Sequence, residues 1–237
     1  MWKGGKKIMS KILKIYWQEP IKHQRLHVGT LSFSDGVYKF KYVNNYKDLE
    51  QRGFKPIMPF LDFDTEYTSD KLFPAFSSRL PDPKRKDIES ILKKYNLSEY
   101  NDFELLSRSE GRSPSDKLEF ISKIDLSQPY TTKDFFVAGV SHGDICPQSE
   151  KCIPDIECLK GVISLVPEPD NKYDKYAVKI LLNKEKLGYI PAYHSQSVYT
   201  AITQGMNVAC KITEANFFKN DCKNCRDCIK MKITITH

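Results

Sequence analysis

Two alternating runs joined by three turn-forming residues fix what the start of this chain can fold into. Leu26 to Phe33 (LHVGTLSF) and Val37 to Tyr42 (VYKFKY) each alternate apolar and polar residues. Ser34-Asp35-Gly36 between them is a hairpin signal. Lys11 to Trp17 (KILKIYW) alternates in the same way. These three segments predict a small antiparallel sheet at the N-terminus.

Beyond that sheet, residues 53 to 82 read as loop, because Pro56, Pro59, Pro74 and Pro81 break any long element. Helices are expected next. Asp87 to Tyr95 places Ile88, Ile91, Leu92 and Tyr95 on one face, and Ser98 to Ser107 repeats the pattern with Ser98 as its cap. Ser115 to Ile121 is a third helix candidate, with Leu118 and Ile121 inward.

After Leu126 to Lys133 the grammar changes to short strands: FFVAGV, GVISLV, YAVKILL, KLGYIP, VACKIT and MKITIT. One helix is expected among them, near His194 to Thr203. Such a series predicts a small β-barrel or half-barrel. The expected class is α+β, with a first domain over 10–125, a linker over 126–134 and a second domain over 135–237.

The 237 residues, 40% of them hydrophobic, suffice for a real core in each half. The net charge of +7 permits a polyanionic partner without demanding one. No apolar run approaches the roughly 18 to 20 residues that span a bilayer. The basic start, with lysines interrupting its apolar residues, lacks a signal-peptide core, and Met9 is an alternative start to Met1. The expectation is a soluble cytoplasmic protein with no membrane partner. Its seven cysteines are then more suited to metal than to disulfides.

The stretch EPDNKYDKYAVKI (168–180) combines a turn, Pro169-Asp170-Asn171, with Tyr173 and Asp174 before a strand beginning at Ala177. One reading is an ordinary turn, with Asp174 accepting backbone N–H bonds. The other is a stacking platform for a base. Sequence-tolerant binding of single strands needs rings and cations. Tyr173, Tyr176, His142 and Tyr189 offer the first, and Lys172, Lys175 and Lys179 the second. In an extended segment Tyr173 and Lys175 would face one groove, and Tyr176 the core.

FFVAGV, GVISLVPEP, DNKYDKYAV and KLGYIP, in that order, resemble the HIRAN domain over about residues 135 to 213. The resemblance implies an OB-type barrel, which in its eukaryotic members binds single-stranded DNA and captures a free 3′ end. It implies a stacking role for Tyr173 and, for Asp174, acceptance of a hydrogen bond from a terminal 3′-hydroxyl. Where the eukaryotic pattern has Arg-Tyr after the first strand, this chain has Ser141-His142. His142 retains a ring that can stack on a base.

Cys222, Cys225 and Cys228 form a CxxCxxC run, and Cys146, Cys152 and Cys158 sit in an insertion after the first strand of this region. Tetrahedral zinc wants four ligands. A structural Zn²⁺ held by the run, with Cys146, Cys152 or His142 as the fourth ligand, stands beside the alternative of uncoordinated reduced thiols. Cys210 lies within a strand and is expected to be buried.

LFPAF with RLPD (72–82), then FELLS and EGR (103–112), together with the leading hairpin HVGTL (27–31), resemble the small N-terminal subdomain of HipA-type toxin kinases over about residues 11 to 122. No Gly-rich nucleotide loop, HRD-like or DFG-like motif follows, so the parts that phosphoryl transfer needs are not assembled. The resemblance implies a protein partner, such as a HipA-like kinase, for this half.

Three functional classes emerge: a non-catalytic DNA-binding module, a toxin–antitoxin-type interaction protein, and an enzyme such as a nuclease. The last would need clustered carboxylates, for which Asp62, Asp64 and Glu66 on a possible strand are the candidates; a solvated acidic loop explains them equally.

Overall fold

A computed structural model describes residues 11–21, 24–113, 116–145, 159–215 and 228–237. The chain divides into two compact units, Met1–Lys123 and Ile124–His237. Both combine antiparallel sheet with helix, so the class is α+β.

In the first unit β1 (Lys11–Gln18), β2 (Arg25–Ser34) and β3 (Val37–Tyr42) pair with their chain neighbours. β4 (Tyr67–Ser69) flanks β3 and β5 (Leu118–Ser122) flanks β1, giving the order β4-β3-β2-β1-β5. The β2–β3 turn has Asp35 and Gly36 at φ 53° and 79°. A two-residue hairpin loop favours such positive φ values because they match the strands' twist. Alternation then sends Leu13, Ile15, Leu31, Phe40 and Tyr42 into the core, where they meet Phe60, Phe73, Phe76, Phe103 and Phe120. Gly29 lies under this packing: a Cβ there would sit 2.8 Å from the Phe40 ring. The helices are α1 (Tyr46–Gln51), α2 (Pro74–Ser77), α3 (Ile88–Lys94) and α4 (Asp102–Ser109).

Two expectations for this unit are corrected. The helix placed at Ser98 starts at Asp102, because Asn101 provides the cap: its side chain accepts from the Glu104 N–H at 2.9 Å. The helix expected over 115–121 is strand β5. Its partner β1 lies about a hundred residues earlier, and pairing there also buries Glu119 against Arg25 and Arg112.

In the second unit β6 (Tyr130–Phe136), β11 (Ile229–Thr236) and β10 (Asn207–Ala215) form one sheet. β7 (Ile163–Pro167), β8 (Val178–Leu182) and β9 (Glu185–Tyr189) form another, and α5 (Ala192–Thr203) follows β9. The expected linker 126–134 is therefore strand from Tyr130 onward, because Tyr130 to Asp134 pair along β11. Among the described residues the two three-stranded sheets do not close into a barrel. An isolated bridge between Ala138 and Tyr189 joins them, and β7 and β10 approach within 8 Å without sharing a ladder. The core is aliphatic: Val178, Ile180 and Leu182 of β8, Ile229, Met231, Ile233 and Ile235 of β11, and Val198 and Ala201 of α5.

Candidate nucleic-acid interface

The segment between β7 and β8 is a turn held by its own side chains. Glu168 N–H donates to Ala177 O at 2.8 Å, closing the base of the loop. The Asn171 side-chain oxygen accepts from the N–H of Tyr173 (3.0 Å) and of Asp174 (3.3 Å). Asp174 Oδ1 accepts from Tyr176 N–H at 2.9 Å, and its Oδ2 accepts from the Ser195 hydroxyl on α5 at 2.6 Å. Short side chains that bond the backbone two residues on favour turns for this reason. The turn-capping role considered for Asp174 is thus present.

On this backbone the Tyr173 side chain is 92% exposed. Lys172 and Lys175 beside it are also exposed, and Lys175 Nζ lies 5.0 Å from the centre of the Tyr176 ring. The expected strand alternation fails here, since β8 begins only at Val178. Tyr173 and Lys175 lie in a turn, and Tyr176 packs its ring edge-on against Tyr199 at 5.6 Å.

Glu168 organises the other side. Its Oε2 accepts from Asn171 Nδ2 (3.0 Å) and the Tyr189 hydroxyl (2.9 Å), while Oε1 pairs with Lys179. The Lys179 and Asn171 bonds pull the carboxyl down to about 2. Lys179 is consequently committed to Glu168 rather than available to a phosphate. Lys186 Nζ lies 4.8 Å from the Tyr189 ring centre. The Tyr189 ring also lies close to Gly139, which has φ 67° and begins the 3₁₀ turn Val140–His142. The exposed Ser141 and His142 sit on that turn, tied to β9 by Asp144 N–H to Lys186 O at 2.8 Å. A chain of contacts therefore runs from the His142 turn through Tyr189 and Glu168 to the Tyr173 loop.

Sequence reasoning missed Glu168 and Ser195. Glu168 stands inside the quoted EPDN motif, which was a usable signal; Ser195 reaches Asp174 from a helix 21 residues later and gave none.

Residues 159–227 match the HIRAN domain family. The HIRAN match contains Tyr173, Asp174 and Tyr189 and begins after Ser141-His142, which the fold attaches through the Ala138–Tyr189 bridge. It indicates nucleic-acid binding at the level of the family, in keeping with a DNA partner. Residues 20–114 match the HipA N-terminal domain, which is not the catalytic part of that kinase. Comparison with curated proteins and with solved structures gives no match.

Of the cysteines considered for zinc, Cys146, Cys152, Cys222 and Cys225, with Cys158, lie outside the described residues. Cys228 is buried immediately before β11, in the core of the second unit. Cys210 is half-buried in β10, and burial pushes its thiol up to about 12. Among the described residues no group of three metal-ligating side chains is assembled.

The carboxylates considered for a nuclease are used otherwise. Asp62 accepts from the Thr65 hydroxyl (2.6 Å) and Asp64 N–H (2.9 Å), which hold its carboxyl below the usual range, and Glu66 pairs with Lys39 at 3.3 Å; Asp64 takes part through its backbone N–H. Residues 61–66 form no strand, so the alternation that would have aligned the three acids is missing. No helix among the described residues is long and apolar enough to cross a membrane.

Proposed function

We propose that this chain is a non-catalytic binding protein whose HIRAN half receives single-stranded DNA, with a free 3′ end as its preferred target. The observation that carries this reading is Tyr173, a ring 92% exposed on a loop whose backbone is fixed by Asn171 and Asp174. A rigid exposed aromatic is a poor use of apolar surface unless something stacks on it. Base stacking on such a ring is worth roughly 1–3 kcal/mol. Lys172 and Lys175 supply nearby charge, and His142, Ser141 and Tyr189 border the site.

In this reading Asp174 accepts the terminal 3′-hydroxyl. An ionised carboxylate offers about four acceptor positions, so its bonds to Tyr176 and Ser195 leave capacity for one more donor. A 3′-phosphate at the same place would meet like charge. Fluorescence anisotropy with matched 3′-hydroxyl and 3′-phosphate oligonucleotides tests this. Tighter binding of the 3′-hydroxyl form is expected, weakened about 5- to 150-fold by Tyr173→Ala. Equal, negligible binding of both oligonucleotides would overturn it.

A second reading is supported by the HipA N-terminal-domain match without a kinase part: the first unit docks a HipA-like kinase, as in toxin–antitoxin systems. Co-purification of such a kinase with the tagged full chain, lost when residues 11–122 are deleted, is the expected result. A structural zinc bound by Cys222, Cys225 and Cys228 belongs to the same proposal. Emission spectrometry would give about one zinc per chain; a folded, metal-free protein would end that part.

A further inference from the structure

The first unit presents a sheet face that its core does not use. Leu13, Leu31 and Phe40 point inward, so the intervening residues of β1, β2 and β3 point the other way. Lys14 pairs with Thr30, and Thr30 with Lys41, in one row across three strands; Ser32 and Lys39 form the next row. Neighbouring strands lie about 4.8 Å apart, so Lys14 and Lys41 stand about 10 Å from each other with a hydroxyl between them. Both lysines are exposed, and among the described residues neither has an acidic partner, whereas Lys39 is paired with Glu66. An open groove of about 540 Å³ runs beside this row, lined by Thr30, Ser32, Lys41, Asn44 and Asn45 and by the Lys39–Glu66 ion pair. Beside Lys14 lies a half-buried ring pair, Tyr16 and His27, with centroids 5.4 Å apart.

Lysine, hydroxyl and amide donors in one groove are the set that grips phosphate and sugar oxygens without reading sequence. The unit that carries this face also holds most of the basic excess. Residues 1–123 carry 23 basic against 17 acidic residues, a net +6, while residues 124–237 carry 14 against 13, a net +1.

We propose that the outer face of β1–β3 is a second contact surface for single-stranded nucleic acid, with Lys14 and Lys41 as its phosphate ligands and the Thr30, Ser32, Asn44 and Asn45 side chains as supporting donors. It rests on the DNA-binding reading of the chain and adds phosphate contacts to the charge that Lys172 and Lys175 offer in the second unit.

The test is a salt titration of the full chain binding a fluorescent 20-nucleotide oligo(dT) with a free 3′-hydroxyl. Each phosphate neutralised on a single strand contributes about 0.7 to the slope of log K against log salt. Lys14→Ala/Lys41→Ala therefore lowers the slope by about 1.4, and Lys14→Gln/Lys41→Gln does the same with unchanged thermal melting. Tyr173→Ala weakens binding at an unchanged slope. If the lysine variants keep the wild-type slope while Tyr173→Ala weakens binding, the sheet-face surface is wrong and the HIRAN reading stands. The opposite pattern removes the HIRAN site and keeps this surface. A wild-type chain that binds no oligonucleotide overturns both. Displacement of the oligonucleotide by poly-L-glutamate at equal charge concentration would assign the face to an acidic protein instead and overturn the proposal.

Discussion

The two units use their aromatic residues in opposite ways. In the first, Phe40, Phe60, Phe73, Phe76 and Phe120 pack ring on ring, with Phe40 and Phe76 5.3 Å apart and Phe76 and Phe120 5.1 Å apart, all inside. In the second, the core is aliphatic around a buried Phe135, and none of the tyrosines is buried: Tyr130 and Tyr173 are exposed, and Tyr176, Tyr189, Tyr193 and Tyr199 half-buried. Charge follows the reverse pattern, with nearly all of the basic excess in the first unit. A ring in a core supplies buried area and edge-to-face contact; a ring held at a surface supplies a face for a partner. The fully exposed Tyr173 ring and most of the basic excess are thus carried by separate units of this chain.

The comparison is most easily broken at Phe76. It is fully buried, so Phe76→Ala is expected to destabilise the first unit by about 3–5 kcal/mol. Both tryptophans of the chain, Trp2 and Trp17, precede residue 124 in sequence, and Trp17 packs edge-on against Phe54 of that unit. Urea unfolding followed by tryptophan fluorescence therefore reads it separately, and a shift below about 1 kcal/mol would contradict the aromatic core.

In the second unit the largest lever is acid. His194 is 1% exposed, and burial, aided by the Lys133 charge, holds its imidazole down to about 3 against an ordinary 6.5. The unfolded chain takes up the proton first. The contribution of neutral His194 is complete above pH 6.5 and falls as pH drops toward 3, by about 1.4 kcal/mol per pH unit. Hydrogen exchange at the β8 and β11 amides should show this loss, and His194→Phe should flatten it.

A smaller effect is expected at Asn101. Removing its side-chain bond to Glu104 N–H by Asn101→Ala costs about 1 kcal/mol in the first unit, read by the same tryptophan signal. The smallest concerns Glu168. Its ion pair with Lys179 is half-exposed and reached by water, so Glu168→Gln changes stability by less than about 1 kcal/mol. It frees the Lys179 ammonium, so the salt slope for oligonucleotide binding should rise by about 0.7; an unchanged slope would show that Lys179 lies away from the strand.

The elements that were legible share one property: their signals are local. The β2–β3 hairpin follows from Ser34-Asp35-Gly36 and two alternating flanks, and β8 and β9 from runs bounded by Asn183-Lys184, whose φ values of 51° and 72° make a tight turn. Leu118 and Ile121 fit a helical spacing as well as a strand, and only the distant β1 settled the matter. Tyr130 to Asp134 resembled a linker because their apolar content is low; pairing along the eight-residue β11 made them strand. At the candidate interface, Tyr173, Asp174 and Tyr189 were readable from motif and residue type, but their environments were not.

The sequence alone determined the hairpins, the aliphatic and aromatic runs that become the two cores, the family resemblances and the unequal distribution of charge. Those depend on neighbours along the chain and on counts. Tertiary structure decided which carboxylates and cations remain available. Glu168 takes Lys179 and the Tyr189 hydroxyl, Ser195 takes one oxygen of Asp174, and Lys14 and Lys41 are left standing on either side of Thr30. Partners of that kind come from residues far apart in sequence, and their competition for a hydrogen bond or a charge is settled only when the chain has brought them within reach.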